Sequence, residues 1–147
     1  MKNAAFLLLC LTTLLFACKK DSTSNQSSLL SSADCWALTK VEFFDSTSLA
    51  WEPFSLDDCL TENCWRYHED GTLTFNNGTQ KCDPSEPQTA TGTWAVSTDG
   101  KTLELTLQGY GSESHEILEL TEDKLVTLDK VSDFGPYNLV RDTYKPK

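Results

Sequence analysis

Leu103, Leu105 and Leu107 alternate with Thr102, Glu104, Thr106 and Gln108, and a period of two belongs to a β-strand with one buried face. Shorter pieces of the same alternation recur from Cys35 onward. They are Trp36/Leu38, Val41/Phe43, Trp65/Tyr67, Leu73/Phe75, Trp94/Val96, Leu118/Leu120, Val126/Leu128 and Tyr137/Leu139. Turn signals separate them: Glu69-Asp70-Gly71, Asn76-Asn77-Gly78, Thr98-Asp99-Gly100, Gly109-Tyr110-Gly111 and Thr121-Glu122-Asp123. The parity change between Leu38 and Val41 predicts a bulge near Thr39-Lys40. Residues 45–63 read as an irregular loop around Pro53, Asp57 and Asp58, with room for one helical turn. No helical period runs far enough to compete.

The pattern describes an all-β chain of eight strands with short connections, in which sequential strands pair as an antiparallel meander. Eight antiparallel strands can close into a barrel, which removes the exposed edges; a two-sheet β-sandwich is the alternative.

The N-terminus sets a second constraint. Lys2 precedes an apolar run from Ala4 to Phe16, too short to span a bilayer, and the run ends in Leu15-Phe16-Ala17-Cys18. This resembles the lipobox of bacterial lipoproteins. The resemblance implies a signal peptide over 1–17 and an acylated Cys18 as the mature N-terminus, with acyl chains sufficient for stable anchoring. Lys19-Lys20-Asp21 resembles the charged start of lipoproteins exported to the outer-membrane surface in some Gram-negative groups. Residues 18–33 then form the acylated cysteine and a flexible Ser-rich tether, and 34–147 form one domain. The expected location is the outer membrane, lipid-anchored, on its periplasmic or cell-surface side.

Of six cysteines, Cys10 leaves with the signal and Cys18 carries lipid. Cys35, Cys59, Cys64 and Cys82 remain, an even set that in an envelope compartment reads as two disulfides of open connectivity. Cys59-x4-Cys64 lacks the tight partner pair of most zinc sites. Loss of residues 1–17 removes Lys2, leaving 11 basic against 22 acidic residues. Such a chain lacks the basic surface that nucleic acid requires.

Trp36-Ala37-Leu38 opening the first strand, a cysteine pair bracketing Trp65-x-Tyr67…Asp70-Gly71, and Gly92-Thr93-Trp94 resemble the small lipocalin-like domain of Gram-negative lipoproteins, over roughly residues 34–144. The resemblance implies a lipocalin-like barrel. It also implies a Cys59–Cys82 disulfide, which leaves Cys35 and Cys64 to pair with each other. Asp34-Cys35 stands where lipocalins favour a Gly-x before the tryptophan, a departure at the point of closure. Arg141 matches the last-strand arginine that lipocalins stack over the opening tryptophan, so a structural Trp36–Arg141 cation–π pair is expected.

Chemistry is sparse. His68 and His115 fall opposite the apolar residues of their strands and read as solvent-facing. No nucleophile elbow, phosphate loop, zinc motif or cofactor motif occurs. Asp57, Asp58 and Glu62 match no calcium-loop spacing and read as a solvated acidic loop. The aromatic residues are more suggestive. Trp65, Tyr67 and Trp94 at strand positions either fill the barrel or line a pocket, and Trp51 and Phe54 of the long first loop form either a lid over the mouth or an exposed sticky patch; these five are the candidate ligand-binding residues. The expectation is a non-enzymatic, membrane-anchored binder of a small apolar ligand in or at the barrel mouth. The alternative is a disulfide-braced scaffold whose loops bind or inhibit an envelope or extracellular protein.

Overall fold

The computed structural model describes residues 22–147. Strand β6 (Thr102–Leu107) buries Leu103, Leu105 and Leu107 and turns Glu104 and Thr106 outward, as its alternation dictates. Around it the chain lays down β1 (Trp36–Asp45), β2 (Ala50–Phe54), β3 (Cys64–Tyr67), β4 (Thr72–Asn76), β5 (Thr89–Val96), β7 (Gly111–Leu120), β8 (Leu125–Phe134) and β9 (Tyr137–Pro146). Each neighbouring pair is antiparallel.

Closure comes from β1. It pairs with β9 from Trp36↔Pro146 to Asp45↔Tyr137, and with β3 at Trp36↔Trp65. The circuit is an eight-stranded antiparallel barrel, not a sandwich. The β1–β9 register skips between Leu38 and Lys40, the bulge expected at Thr39-Lys40.

Strand β2 is a ninth strand, where the sequence reads as loop. It forms a hairpin with the far half of β1, Val41↔Phe54 to Asp45↔Ala50, outside the barrel circuit. Pro53 argues against a strand interior, but β2 is an edge strand, and an edge tolerates a residue without an N–H. The expected helical turn follows as α2 (Asp58–Thr61).

The tether expectation is overturned over residues 22–32. Ser22–Ser32 forms α1, which packs against β3, β5 and β7. Its residues are weak helix formers, and burial overrides propensity. Leu30 is fully buried in the same cluster as Trp36, Tyr67, Leu103 and Leu125, and the Trp36 Nε1–H donates to the Leu30 carbonyl at 2.9 Å. The helix therefore plugs the barrel end where β3 and β5 finish and β6 and β8 begin. The opposite end is framed by α2, the β4–β5 loop and the β6–β7 turn, and stays open. Cys18 and the signal segment lie outside the described residues.

Two disulfides brace the fold, Cys59–Cys82 and Cys35–Cys64, each with Cα atoms 5.3 Å apart. They are the pairs the resemblance implies. The first ties α2 to the β4–β5 loop, and the second ties the start of β1 to the start of β3.

Candidate functional site

The interior of the barrel is not filled. Two adjoining chambers share Trp65, Leu105 and Glu113 in their walls. The outer chamber, about 300 Å³, opens at the unplugged end and is walled mainly by Trp65, Phe75, Leu105, Leu107, Leu60 and Tyr110. The inner chamber, about 200 Å³, lies deeper and changes character: Tyr67, Leu103 and Leu125 share it with Glu113, His115, Thr127, Asp142 and Tyr144.

The polar residues reach the interior because two strands depart from the parity their leucines suggest. In β7 the pairing with β8 skips between Ile117 and Glu119. That bulge leaves Leu118 47% exposed and puts Ile117 and His115 inside, so His115 is not solvent-facing as its sequence position implies. In β8 the inward residues are Leu125 and Thr127, while Val126 and Leu128 lie on the outer face. Asp142 and Tyr144 of β9 face Thr127 and Leu125 in register.

These groups form a chain of contacts. His115 Nδ1 lies 2.7 Å from Asp129 Oδ1, and its Nε2 lies 3.4 Å from Glu113 Oε2. Burial alone would lower the imidazole pKa, but the hydrogen bond and charge of Asp129, with Glu113 and Asp142, outweigh it and raise it. The Tyr144 hydroxyl donates weakly to Asp142 Oδ2 at 3.4 Å. Burial, followed by the negative charge of Asp129, pushes the Asp142 carboxyl up to about 6. Burial also raises the phenols of Tyr67 and Tyr144. Among the described residues, the inner wall leaves Thr127 Oγ1 and Asp142 Oδ1 buried without a partner, and the outer wall leaves Asn63 Oδ1; Thr127 is only 2% exposed.

The expected site residues divide. Trp65 lines both chambers and Tyr67 the inner one. Trp94 is buried beside them, edge-on to Tyr67 with ring centroids 5.4 Å apart, and its Nε1–H donates to the His68 carbonyl; it supports the wall without lining it. Trp51 and Phe54 do not form a lid. They sit on β2, away from both chambers, with Phe54 packed edge-on to Phe43. Glu62 is engaged by the β4–β5 loop, accepting from Thr79 and Gln80.

The expected Trp36–Arg141 pair does not form. Arg141 pairs in register with Glu42 and Trp36 with Pro146, roughly 17 Å apart along the strands, and the two side chains lie on opposite faces of the sheet. Arg141 instead covers Trp51, its Cζ 4.3 Å from the ring centroid, and donates Nε–H and Nη2–H to Glu42 Oε2 at 3.0 and 2.8 Å. Glu42 also takes Lys40 at 2.8 Å, and these cations hold its carboxyl below the ordinary range against the opposing effect of burial. The arginine cation stacks on a tryptophan, but on the hairpin strand outside the barrel and not on the opening residue.

The family model of the lipocalin-like domain matches residues 34–127. The chain belongs to the lipocalin-like family. Among solved structures, a crystal structure of a lipocalin-like protein from Bacteroides uniformis is similar at 11% identity and a TM-score of 0.49, over 78% of this chain and 97% of that one. No curated protein matches the sequence. Within this lipocalin-like barrel, sequence reasoning missed Glu113, His115, Thr127, Asp129, Asp142 and Tyr144. The signal available was the alternation Thr127/Asp129 and Asp142/Tyr144, which shares a parity within each strand and is hidden behind the more conspicuous leucine pairs.

Proposed function

We propose that this lipocalin-like protein is a non-enzymatic binder, anchored through an acylated Cys18 to the outer membrane, that takes a small ligand with an apolar body into the barrel. One observation carries the reading: an outer chamber of about 300 Å³, walled by Trp65, Phe75, Leu105 and Leu107, stands at the unplugged end. That volume and lining are those of a small-molecule site. The four cysteines 35, 59, 64 and 82 are all paired, which leaves none of them as a nucleophile and favours binding over catalysis. Anchoring rests on the lipobox-like Leu15-Phe16-Ala17-Cys18.

Native mass spectrometry of the protein purified from its host tests the reading. The expected result is a non-covalent adduct that disappears in Leu105→Trp, a substitution that fills the outer chamber. An unliganded mass from both proteins would count against it.

A second reading, a scaffold for a protein partner, is favoured by one surface. Phe43 stacks on Phe134 and meets Phe54 edge-on, with centroids 5.2 and 5.7 Å apart, and Phe54 and Phe134 are 49% and 54% exposed. Cross-linking in cells separates the readings: a partner lost in the Phe54→Ser/Phe134→Ser protein supports the scaffold, and no cross-link in either protein removes it.

A further inference from the structure

The inner chamber has a composition that an apolar ligand does not need. Glu113, His115, Thr127, Asp142 and Tyr144 share its wall with Trp65, Tyr67, Leu103, Leu105 and Leu125, and Asp129 stands behind His115. The titratable groups around Asp142 come from four strands: Glu113 and His115 from β7, Asp129 from β8, Tyr144 from β9 and Tyr67 from β3. Strands β5 and β6 present apolar groups here, Trp94, Leu103 and Leu105. Among the described residues, no lysine or arginine lines either chamber. Three carboxyl groups thus face one imidazole, and that imidazole is already engaged by Asp129 and Glu113.

A cavity with such a charge balance attracts cations and rejects anions. The satisfaction of its polar atoms points the same way. Buried polar groups are ordinarily hydrogen-bonded, and leaving one without a partner is unfavourable. Thr127 Oγ1 and Asp142 Oδ1 are buried without one, and both belong to residues of the inner wall. Every unmet atom of the chamber is an acceptor or, in the hydroxyl, able to act as one. A ligand group that satisfies them must bring hydrogen-bond donors and, facing carboxylates, positive charge. A primary ammonium brings three donors and no acceptor. Thr127, Asp142 and Glu113 supply three acceptors in one chamber.

We propose that the inner chamber binds the protonated amine of an amphipathic small molecule, with the Asp142 carboxylate as counter-ion and Thr127 and Glu113 as further acceptors, while the apolar body of the molecule fills the outer chamber. This rests on the binding reading above and names its ligand class. The two chambers adjoin through Trp65 and Leu105, so one molecule with a charged head and an apolar tail spans both. Selection is pH-dependent. Below about pH 6 Asp142 is protonated and His115 charged, and the chamber is least negative. As pH rises Asp142 ionises, then His115 loses its proton, and attraction for a cation grows at each step.

Isothermal titration of the full-length protein with n-octylamine, octan-1-ol and octanoate, at pH 5 and pH 8, tests the proposal. At pH 8 octylamine should bind about tenfold tighter than octanol, the scale of a charge-assisted hydrogen bond in a partly closed site. Octanoate should bind weakest, and the preference for octylamine should shrink at pH 5. Asp142→Asn should abolish the preference. Glu113→Gln, on a side chain 62% exposed, should reduce the preference without burdening the fold and serves if the first variant misfolds. Equal affinity for octylamine and octanol, or a preference for octanoate, overturns the amine assignment and leaves the apolar pocket standing. Failure of all three probes to bind overturns both readings.

Discussion

Gly92 of β5 has no room for a side chain. A Cβ there would lie 1.8 Å from the Thr106 carbonyl oxygen of β6, so the two strands approach closely at this point only because the residue is glycine. Gly92→Ala should destabilise the protein by ~2–3 kcal/mol, the scale of forced overpacking, and urea unfolding should show it as a lower midpoint with an unchanged slope. Asp142 lies at the opposite extreme, a residue whose fold tolerates it poorly when charged. Its carboxyl is raised to about 6 by burial, so the native state holds that proton more tightly than the unfolded chain does. Stability from this group is present at low pH and is lost as pH climbs from its ordinary value to about 6. Asp142→Asn should therefore raise stability at pH 8 by at most ~3 kcal/mol and change it little at pH 4. Thermal melting at the two pH values checks this; a loss at pH 8 would contradict the assignment of burial as the cause.

Among the elements, α1 contributes most against expectation. Leu30→Ala removes a fully buried side chain from the plug and should lower stability by ~2–4 kcal/mol, readable by chemical denaturation. The Cys59–Cys82 disulfide closes a segment of 23-residue separation, and replacing both with serine should cost about 3 kcal/mol by loop closure and raise proteolysis around α2. Which elements the sequence revealed follows from the physics of each. The β3–β4 and β5–β6 hairpins were legible because both strands of each present one continuous apolar parity and end in Gly-containing turns. β2 was not, because Pro53 reads as a breaker until the strand is known to lie on an edge. α1 was not, because a Ser-rich segment with one buried leucine carries no amphipathic stripe; its folding depends on the barrel end that it covers. The inner chamber was hidden for a related reason. A bulge at Leu118 shifts parity by one residue, and no local pattern distinguishes an inward His115 from an outward one.

For the whole molecule the titrating groups pull in two directions, and their balance sets a maximum of stability. His115 is raised, so its contribution is complete below its unfolded value near 6.5 and is lost as pH rises through the folded value. Asp142 loses its contribution below that range, on the way up to about 6. Opposing them, Glu42, Glu62, Asp70, Asp83 and Asp99 have lowered values and lose their contributions as pH falls through and below the ordinary carboxylate range. The sequence pI of about 4.5 adds self-repulsion at neutral pH. The melting temperature should peak between about pH 4.5 and 6 and fall toward pH 8, as scanning calorimetry across that range would record.

The plug has one more consequence. α1 begins at Ser22, four positions after Cys18, so a lipid carried on that cysteine would hold the stoppered end of the barrel near the bilayer. The mouth lies at the other end, between α2 and the turn at Tyr110. Moored this way, the barrel would stand like a cup with its base on the membrane, and its contents would exchange with the aqueous compartment, not with the lipid beneath it.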